Sequence, residues 1–143
     1  MRIHQEIVEV STRGVGPVNV TEHVRAVARK SGVATGLCTI FVQHTSASLV
    51  IQENADPAVL RDIASWLAEF APQSSRWEHD DEGPDDMPAH LRSVLTRTSE
   101  NIPIRDGELA LGTWQALYLW EHRASPHRRR LLVHAAGLPR DGA

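Results

Sequence analysis

Ile102-Pro103-Ile104-Arg105-Asp106-Gly107-Glu108-Leu109-Ala110-Leu111-Gly112 is the stretch whose reading settles the fold class. Two short apolar runs flank Asp106-Gly107, a dipeptide suited to the tight turn of a β-hairpin, so the stretch predicts two strands folded back on each other. Outward toward the C-terminus, Trp114 to Glu121 and Arg130 to Ala135 read as two more strands, linked by His122-Arg123-Ala124-Ser125-Pro126-His127. Toward the N-terminus, Leu37 to Gln43 is rich in β-branched and aromatic residues and reads as a buried strand, with Ser48 to Gln52 a further strand after the turn Thr45-Ser46-Ala47. Ile3 to Val10 alternates as an edge or amphipathic strand does.

Helices fall between these runs. Asn19 and Thr21 are N-cap candidates ahead of Glu22 to Lys30, where Val24, Val27 and Ala28 recur at helical spacing and Gly32 is a stop. Asp56-Pro57 opens a second helix with an acid at the cap and Pro at the first position. Val59, Leu60, Ile63, Trp66, Leu67 and Phe70 follow as a wide apolar stripe that is expected to be buried. A third, short helix starts at Pro88-Ala89-His90-Leu91 and carries Leu91, Val94 and Leu95. The order strand, helix, strands, helix, loop, helix, strands predicts an α+β domain with a mostly antiparallel sheet, not a regular βαβ wound fold.

The 143 residues fit one domain, 1–143. Net charge is −3; residues 77–90 carry −6, which leaves +3 spread over the rest and no overall basic field for nucleic acid. The single cysteine, Cys38, lies in an apolar run, where it reads as a packed core thiol, and it excludes an internal disulfide. With no apolar leader and no apolar window long enough to span a membrane, a soluble cytoplasmic protein is expected. No glycine-rich phosphate motif is present, and Gly14-Val15-Gly16-Pro17 reads as a turn.

The most reactive stretch is Trp77 to His90, which packs Glu78, Asp80, Asp81, Glu82, Asp85 and Asp86 with His79 and His90 and contains no cation. Gly83, Pro84 and Pro88 make it a bent loop. Carboxylates with imidazoles can capture a metal or move protons. Of the eight histidines, His44, His79, His90 and His122 fall at strand ends or in this loop, where sites form. Gln43-His44-Thr45-Ser46-Ala47-Ser48 offers hydroxyls and backbone N–H groups to an anion; without a glycine elbow, Ser46 and Ser48 read as ligand contacts rather than nucleophiles. Asp56 serves as a cap, which leaves Glu53 and Asn54 free for a ligand.

Five separated motifs, Gln43-His44-Thr45-Ser46-Ala47-Ser48-Leu49, Glu53-Asn54-Ala55-Asp56-Pro57, Glu82-Gly83-Pro84-Asp85-Asp86-Met87-Pro88-Ala89-His90, Ile102-Pro103-Ile104, and Leu111-Gly112-Thr113-Trp114-Gln115 with Glu121-His122-Arg123, resemble the YjbQ family in order. The match runs from about residue 3 to residue 137; Ala116 stands where many relatives carry glycine. The resemblance implies a compact homotrimer, a sheet or sandwich wrapped round a buried helix, and a secondary thiamine-phosphate synthase activity. That reaction joins a pyrimidine diphosphate to a thiazole phosphate and displaces pyrophosphate, which calls for a divalent metal, zinc or magnesium, and cationic side chains. On this reading His44, His90 and His122 converge as metal ligands with His79 in reserve. Asp86 and Glu53 handle protons, Asp85 and His79 support them, and Ser46, Ser48, Asn54, Asp85, Gln115 and Arg123 contact a small phosphorylated metabolite. A trimeric metal- or metabolite-binding protein and a metal-dependent hydrolase fit the same residues, so the activity stays open at this point.

Overall fold

The computed structural model describes residues 1–142. Eight strands and three helices follow in the order β1 (Arg2–Ser11), β2 (Gly16–Asn19), α1 (Thr21–Lys30), β3 (Val33–Val42), β4 (Ala47–Glu53), α2 (Pro57–Phe70), α3 (Asp86–Leu95), β5 (Ser99–Arg105), β6 (Glu108–Leu109), β7 (Gln115–Glu121) and β8 (Arg128–Pro139). They form a five-stranded sheet, β1-β8-β3-β5-β6, and a three-stranded sheet, β2-β7-β4, with every pairing antiparallel. The expected α+β class with antiparallel strands is what forms.

The hairpin that carried that expectation closes as its sequence requires. Asp106 and Gly107 both take positive φ, 52° and 82°, and β5 pairs with β6 through Ile104 opposite Leu109. The second arm is short, because Ala110 to Gly112 leave the ladder. β2 is a strand that the sequence reading took for a turn; Pro17 sits at the edge of the smaller sheet, where its missing N–H costs no ladder bond. In the middle of the larger sheet Gly36 and Gly137 face each other, and a Cβ at Gly36 would fall 2.1 Å from the Ala136 carbonyl oxygen, so this crossing of β3 and β8 requires glycine.

The core lies between the sheets and α1. Val24, Val27 and Ala28 of α1 are buried with Cys38, Ile40, Val42, Leu49, Ile104, Leu117, Leu119, Leu131 and Val133. Thr21, expected to cap α1, is its first residue instead, and its hydroxyl accepts from the Leu117 N–H (2.9 Å), tying the helix to β7. The Asn19 side chain accepts from the Thr21 N–H (3.0 Å).

The helix round which the sheets wrap is α1, not the long second helix. α2 is capped as expected, with Asp56 Oδ1 accepting from the Ala58 N–H (2.9 Å) and Pro57 at its start. Its stripe, however, is only partly covered: Leu67 is buried, whereas Trp66 and Phe70 are each 54% exposed. α3 departs further. Its buried side holds Asp86, Pro88, Ala89 and Ser93, and Val94 and Leu95 point outward. It also begins two residues before Pro88, which is allowed because N–H groups of the first helical turn have no intrahelical partner to lose. This places Asp86 on the helix.

Candidate functional site

The bends of the acidic loop deliver His79 and Glu82 to the start of α3, where Asp86 and His90 lie four residues apart on one helical face. Ligand atoms of His79, Glu82, Asp86 and His90 all lie within 4.8 Å of one another. Asp86 is the centre, 3% exposed. Its Oδ2 accepts from His79 Nε2 (2.6 Å) and lies 3.1 Å from His90 Nε2. Its Oδ1 is paired with Arg123 (2.8 Å). Burial alone would raise the Asp86 carboxyl; the hydrogen bond from His79, contact with Glu82 and the charges of Arg123 and His90 outweigh it and hold the group below the ordinary carboxylate value. The bond to Asp86 in turn raises the His79 imidazole above its ordinary value.

Arg123 fixes the loop. Its Nε donates to Asp85 Oδ2 (3.0 Å), its NH2 donates to the Glu82 carbonyl (2.9 Å), and its NH1 meets Asp86. The Arg123 hydrogen bond holds the Asp85 carboxyl below the usual range, although burial opposes it, and the Ala124 N–H adds a second donor (2.9 Å). The guanidinium expected to contact a substrate is therefore engaged by Glu82, Asp85 and Asp86. Asp85 is likewise a latch between the loop and residues 123–124.

His90 is oriented from its other side. Its Nδ1 donates to the Thr45 carbonyl (3.1 Å), which turns Nε2 toward the Asp86 oxygen. Imidazole Nδ1–H on a carbonyl with Nε2 directed inward is the usual second-shell arrangement of a metal-ligating histidine.

Two of the three expected histidine ligands are engaged elsewhere. His44 Nε2 accepts from the Arg130 N–H (2.8 Å), and burial, followed by the charge of Arg129, lowers its pKa. His122 is fully buried and bonded through Nε2 to the Ser48 hydroxyl (2.7 Å), which in turn meets the Thr96 hydroxyl (2.6 Å). Burial, with a smaller contribution from the charge of Arg92, pushes the His122 imidazole down to about 3. His90 remains, His79 enters from reserve, and Glu82 is the member of the cluster that sequence reasoning did not assign to the metal. Its clue was the spacing His79, Glu82, Asp86, His90, which steps by three, four and four.

The expected ligand-contacting residues also scatter. Ser48 is buried in the His122 bond, and the Ser46 hydroxyl accepts from Arg129 (3.1 Å). Arg129 forms an internal ion pair with Glu121, whose Oε2 also accepts from the Thr12 hydroxyl (2.7 Å). Glu53 accepts from the Asp56 N–H (3.3 Å) and lines a depression with Trp114 rather than the His79–His90 cluster. Asn54 donates to the Thr113 carbonyl (3.4 Å), Gln115 accepts from the Gly112 N–H (2.8 Å), and both line a separate cavity of about 480 Å³ beside the start of α1.

The comparisons with known proteins agree with this architecture. The family described as UPF0047 protein YjbQ-like matches residues 6–138. The chain belongs to the YjbQ family. It is 56% identical over 137 residues to the UPF0047 protein of Synechocystis sp., covering 95% of this chain and 93% of that one. It is 36% identical over 135 residues to YjbQ of Escherichia coli, covering 94% and 98%. A crystal structure from Sulfolobus solfataricus, described as a YjbQ-like protein of unknown function, superposes with a TM-score of 0.87 at 30% identity over 95% of this chain and 98% of that one. A Thermus thermophilus protein gives 0.81 at 37% identity, covering 92% and 99%. These relatives carry no assigned activity. The thiamine-phosphate synthase activity expected from the resemblance is therefore overturned, because the family is one of unknown function.

Proposed function

We propose that this YjbQ-family protein binds a divalent transition-metal cation through His79, Asp86 and His90, with Glu82 completing the set, and presents it to a small phosphorylated metabolite. The observation that carries the reading is the convergence of His79, Glu82, Asp86 and His90, whose potential ligand atoms lie within 4.8 Å of one another, with His90 Nε2 turned toward the buried Asp86 carboxylate. Two imidazoles in the donor set favour zinc or a similar ion over magnesium, which prefers oxygen ligands and retains its waters. When bound, such a cation acts as a Lewis acid toward phosphoryl oxygens or a coordinated water. The chain's own residues then hold rather than react: Arg123 keeps Asp86 from rotating, and Thr45 keeps the His90 ring in one tautomer. The exposed apolar residues support self-assembly as a homotrimer, and the single buried thiol fits a reducing, cytoplasmic compartment. Among the described residues no helix is long and apolar enough to cross a membrane.

Isothermal titration of the full chain with zinc, manganese and magnesium chlorides tests the metal. One transition-metal ion per chain is expected, with magnesium binding more weakly. Asp86→Asn, which keeps the shape and removes the charge, should lower the affinity at least ~10-fold. Heat changes that are absent from the wild type, or identical in the variant, would sink the assignment. Inorganic phosphate should bind the metal-loaded protein and not the metal-free one.

A further inference from the structure

The buried ion pair Glu121–Arg129 is joined to the His79–His90 cluster by two separate routes. Glu121 ends β7 and is fully buried; Arg129, at the start of β8, is 3% exposed. Two charges taken into a core lose their hydration, and such a pair adds little stability over apolar residues of the same volume, so its use lies in what it holds in place. All four lone-pair positions of the Glu121 carboxylate are occupied. Oε2 accepts from the Thr12 hydroxyl (2.7 Å) and from Arg129 Nε (2.7 Å), and Oε1 accepts from Arg129 NH2 and from the Arg123 N–H (2.9 Å). Burial alone would raise this carboxyl; the hydrogen bonds from Arg129, Thr12 and the Arg123 N–H outweigh it and hold the group below the ordinary carboxylate value.

The first route runs through Arg123. Glu121 fixes its backbone N–H, while its guanidinium meets Asp86 (2.8 Å) and Asp85 (3.0 Å). The second runs through Arg129, whose NH2 shares its hydrogens among Glu121 Oε1, the Ser46 carbonyl (3.2 Å) and the Ser46 hydroxyl (3.1 Å). The His122 N–H donates to the same carbonyl (3.3 Å). With its carbonyl and its hydroxyl both held, Ser46 cannot turn about its Cα. The Thr45 carbonyl, on the other side of that Cα, is then fixed in the direction that receives His90 Nδ1 (3.1 Å). The supports of Asp86 and of His90 therefore meet at one carboxylate outside the cluster.

We infer that Glu121 is a positioning residue for the metal site: it holds Arg123 against Asp86 and, through Arg129, holds the Thr45–Ser46 backbone that aims His90. The inference rests on the metal binding proposed above and names the residue that sets the geometry of that site from behind. An amide cannot take over this task. If its NH2 replaces Oε1 it faces the Arg123 N–H and Arg129 NH2, and if it replaces Oε2 it faces Arg129 Nε, so donor meets donor on at least one route whichever way the amide lies.

Isothermal titration of the full chain with zinc chloride, under conditions in which each protein is folded by circular dichroism, reads the effect. Glu121→Gln is expected to lower zinc affinity ~10-fold. Arg129→Lys covers the case in which that variant does not fold: it leaves the carboxylate a cationic partner, but one ammonium cannot replace the fork that reaches Glu121 and Ser46 together, so a loss of similar size is expected. Val24→Ala is the control. It opens a cavity in the core under α1, lowers stability, touches neither route, and should bind zinc as the wild type does. At saturating cobalt(II), the visible absorption bands, which follow the arrangement of ligands, should shift in Glu121→Gln and not in Val24→Ala. Wild-type zinc affinity in whichever of the two variants folds, or an equal loss in Val24→Ala, would overturn the positioning role and leave the metal site standing. A wild type that binds no zinc would overturn the metal site and this role with it.

Discussion

His122 gives the protein an acid sensitivity of calculable size. Its ring is held uncharged in the folded state, with a pKa of about 3, by burial. In the unfolded chain the same imidazole titrates near ~6.5. Between these values the unfolded state binds a proton that the folded state refuses, so stability falls as pH falls, the reverse of a histidine that gains a carboxylate partner. At about pH 7.5 the unfolded ring is mostly neutral and the linkage is close to zero. At about pH 5 the unfolded ring is protonated in a ratio of roughly 30 to 1 and the folded ring is still neutral, which corresponds to about 2 kcal/mol of lost stability. His122→Gln removes the titration while keeping an amide near the Ser48 hydroxyl. Urea unfolding of both proteins, at one fixed protein concentration so that assembly enters equally, should show the wild-type advantage shrinking by about 2 kcal/mol from about pH 7.5 to about pH 5. The raised pKa of His79 acts in the opposite sense, losing its stabilisation as pH rises, but it is common to both proteins and cancels. A difference between wild type and variant that stays constant over that range would refute the claim that this ring is buried neutral.

Arg123→Gln frees Asp85, Asp86 and the Glu82 carbonyl from their common anchor, so metal affinity by titration calorimetry should fall ~10- to 100-fold with the circular dichroism spectrum retained; an unchanged affinity would show that the loop needs no anchor. Arg129→Met strands the buried Glu121 carboxylate and should cost about 3–5 kcal/mol in a denaturant melt; a loss under ~1 kcal/mol would mean that the pair is dispensable. His44→Ala and Asp80→Asn should leave metal affinity as it is, because neither side chain belongs to the converging set; a clear loss in either would reopen the sequence-based ligand assignment.

Much of the fold was legible because its signals are local. The Asp106-Gly107 turn, the Asp56-Pro57 start of α2 and the apolar strands each depend on a few neighbouring residues whose dihedral preferences and caps act over one turn or one ladder step. Along α3 the pair Asp86 and His90 was legible for the same reason, since four residues on a helix fix a shared face. The apolar stripes of α2 and α3 misled: periodicity says that a face exists and not what covers it, and within one chain Trp66, Phe70 and Val94 remain exposed.

The sequence by itself determined an antiparallel α+β domain, a charge concentrated in one bent loop, the identity of His90, His79 and Asp86 as candidates, and the motifs that place the chain in its family. Only the tertiary structure decided which histidines work together. His44, His90 and His122 stand at equivalent strand ends and helix starts in sequence, and nothing in their spacing separates them. Three distant contacts do so: the Arg130 N–H takes up His44, the Ser48 hydroxyl buries His122, and the Thr45 carbonyl turns His90 toward Asp86. Hydrogen bonds between residues dozens of positions apart depend on strand register and on how a loop lies over a sheet, and those are fixed by the packing of the whole core rather than by any segment read alone.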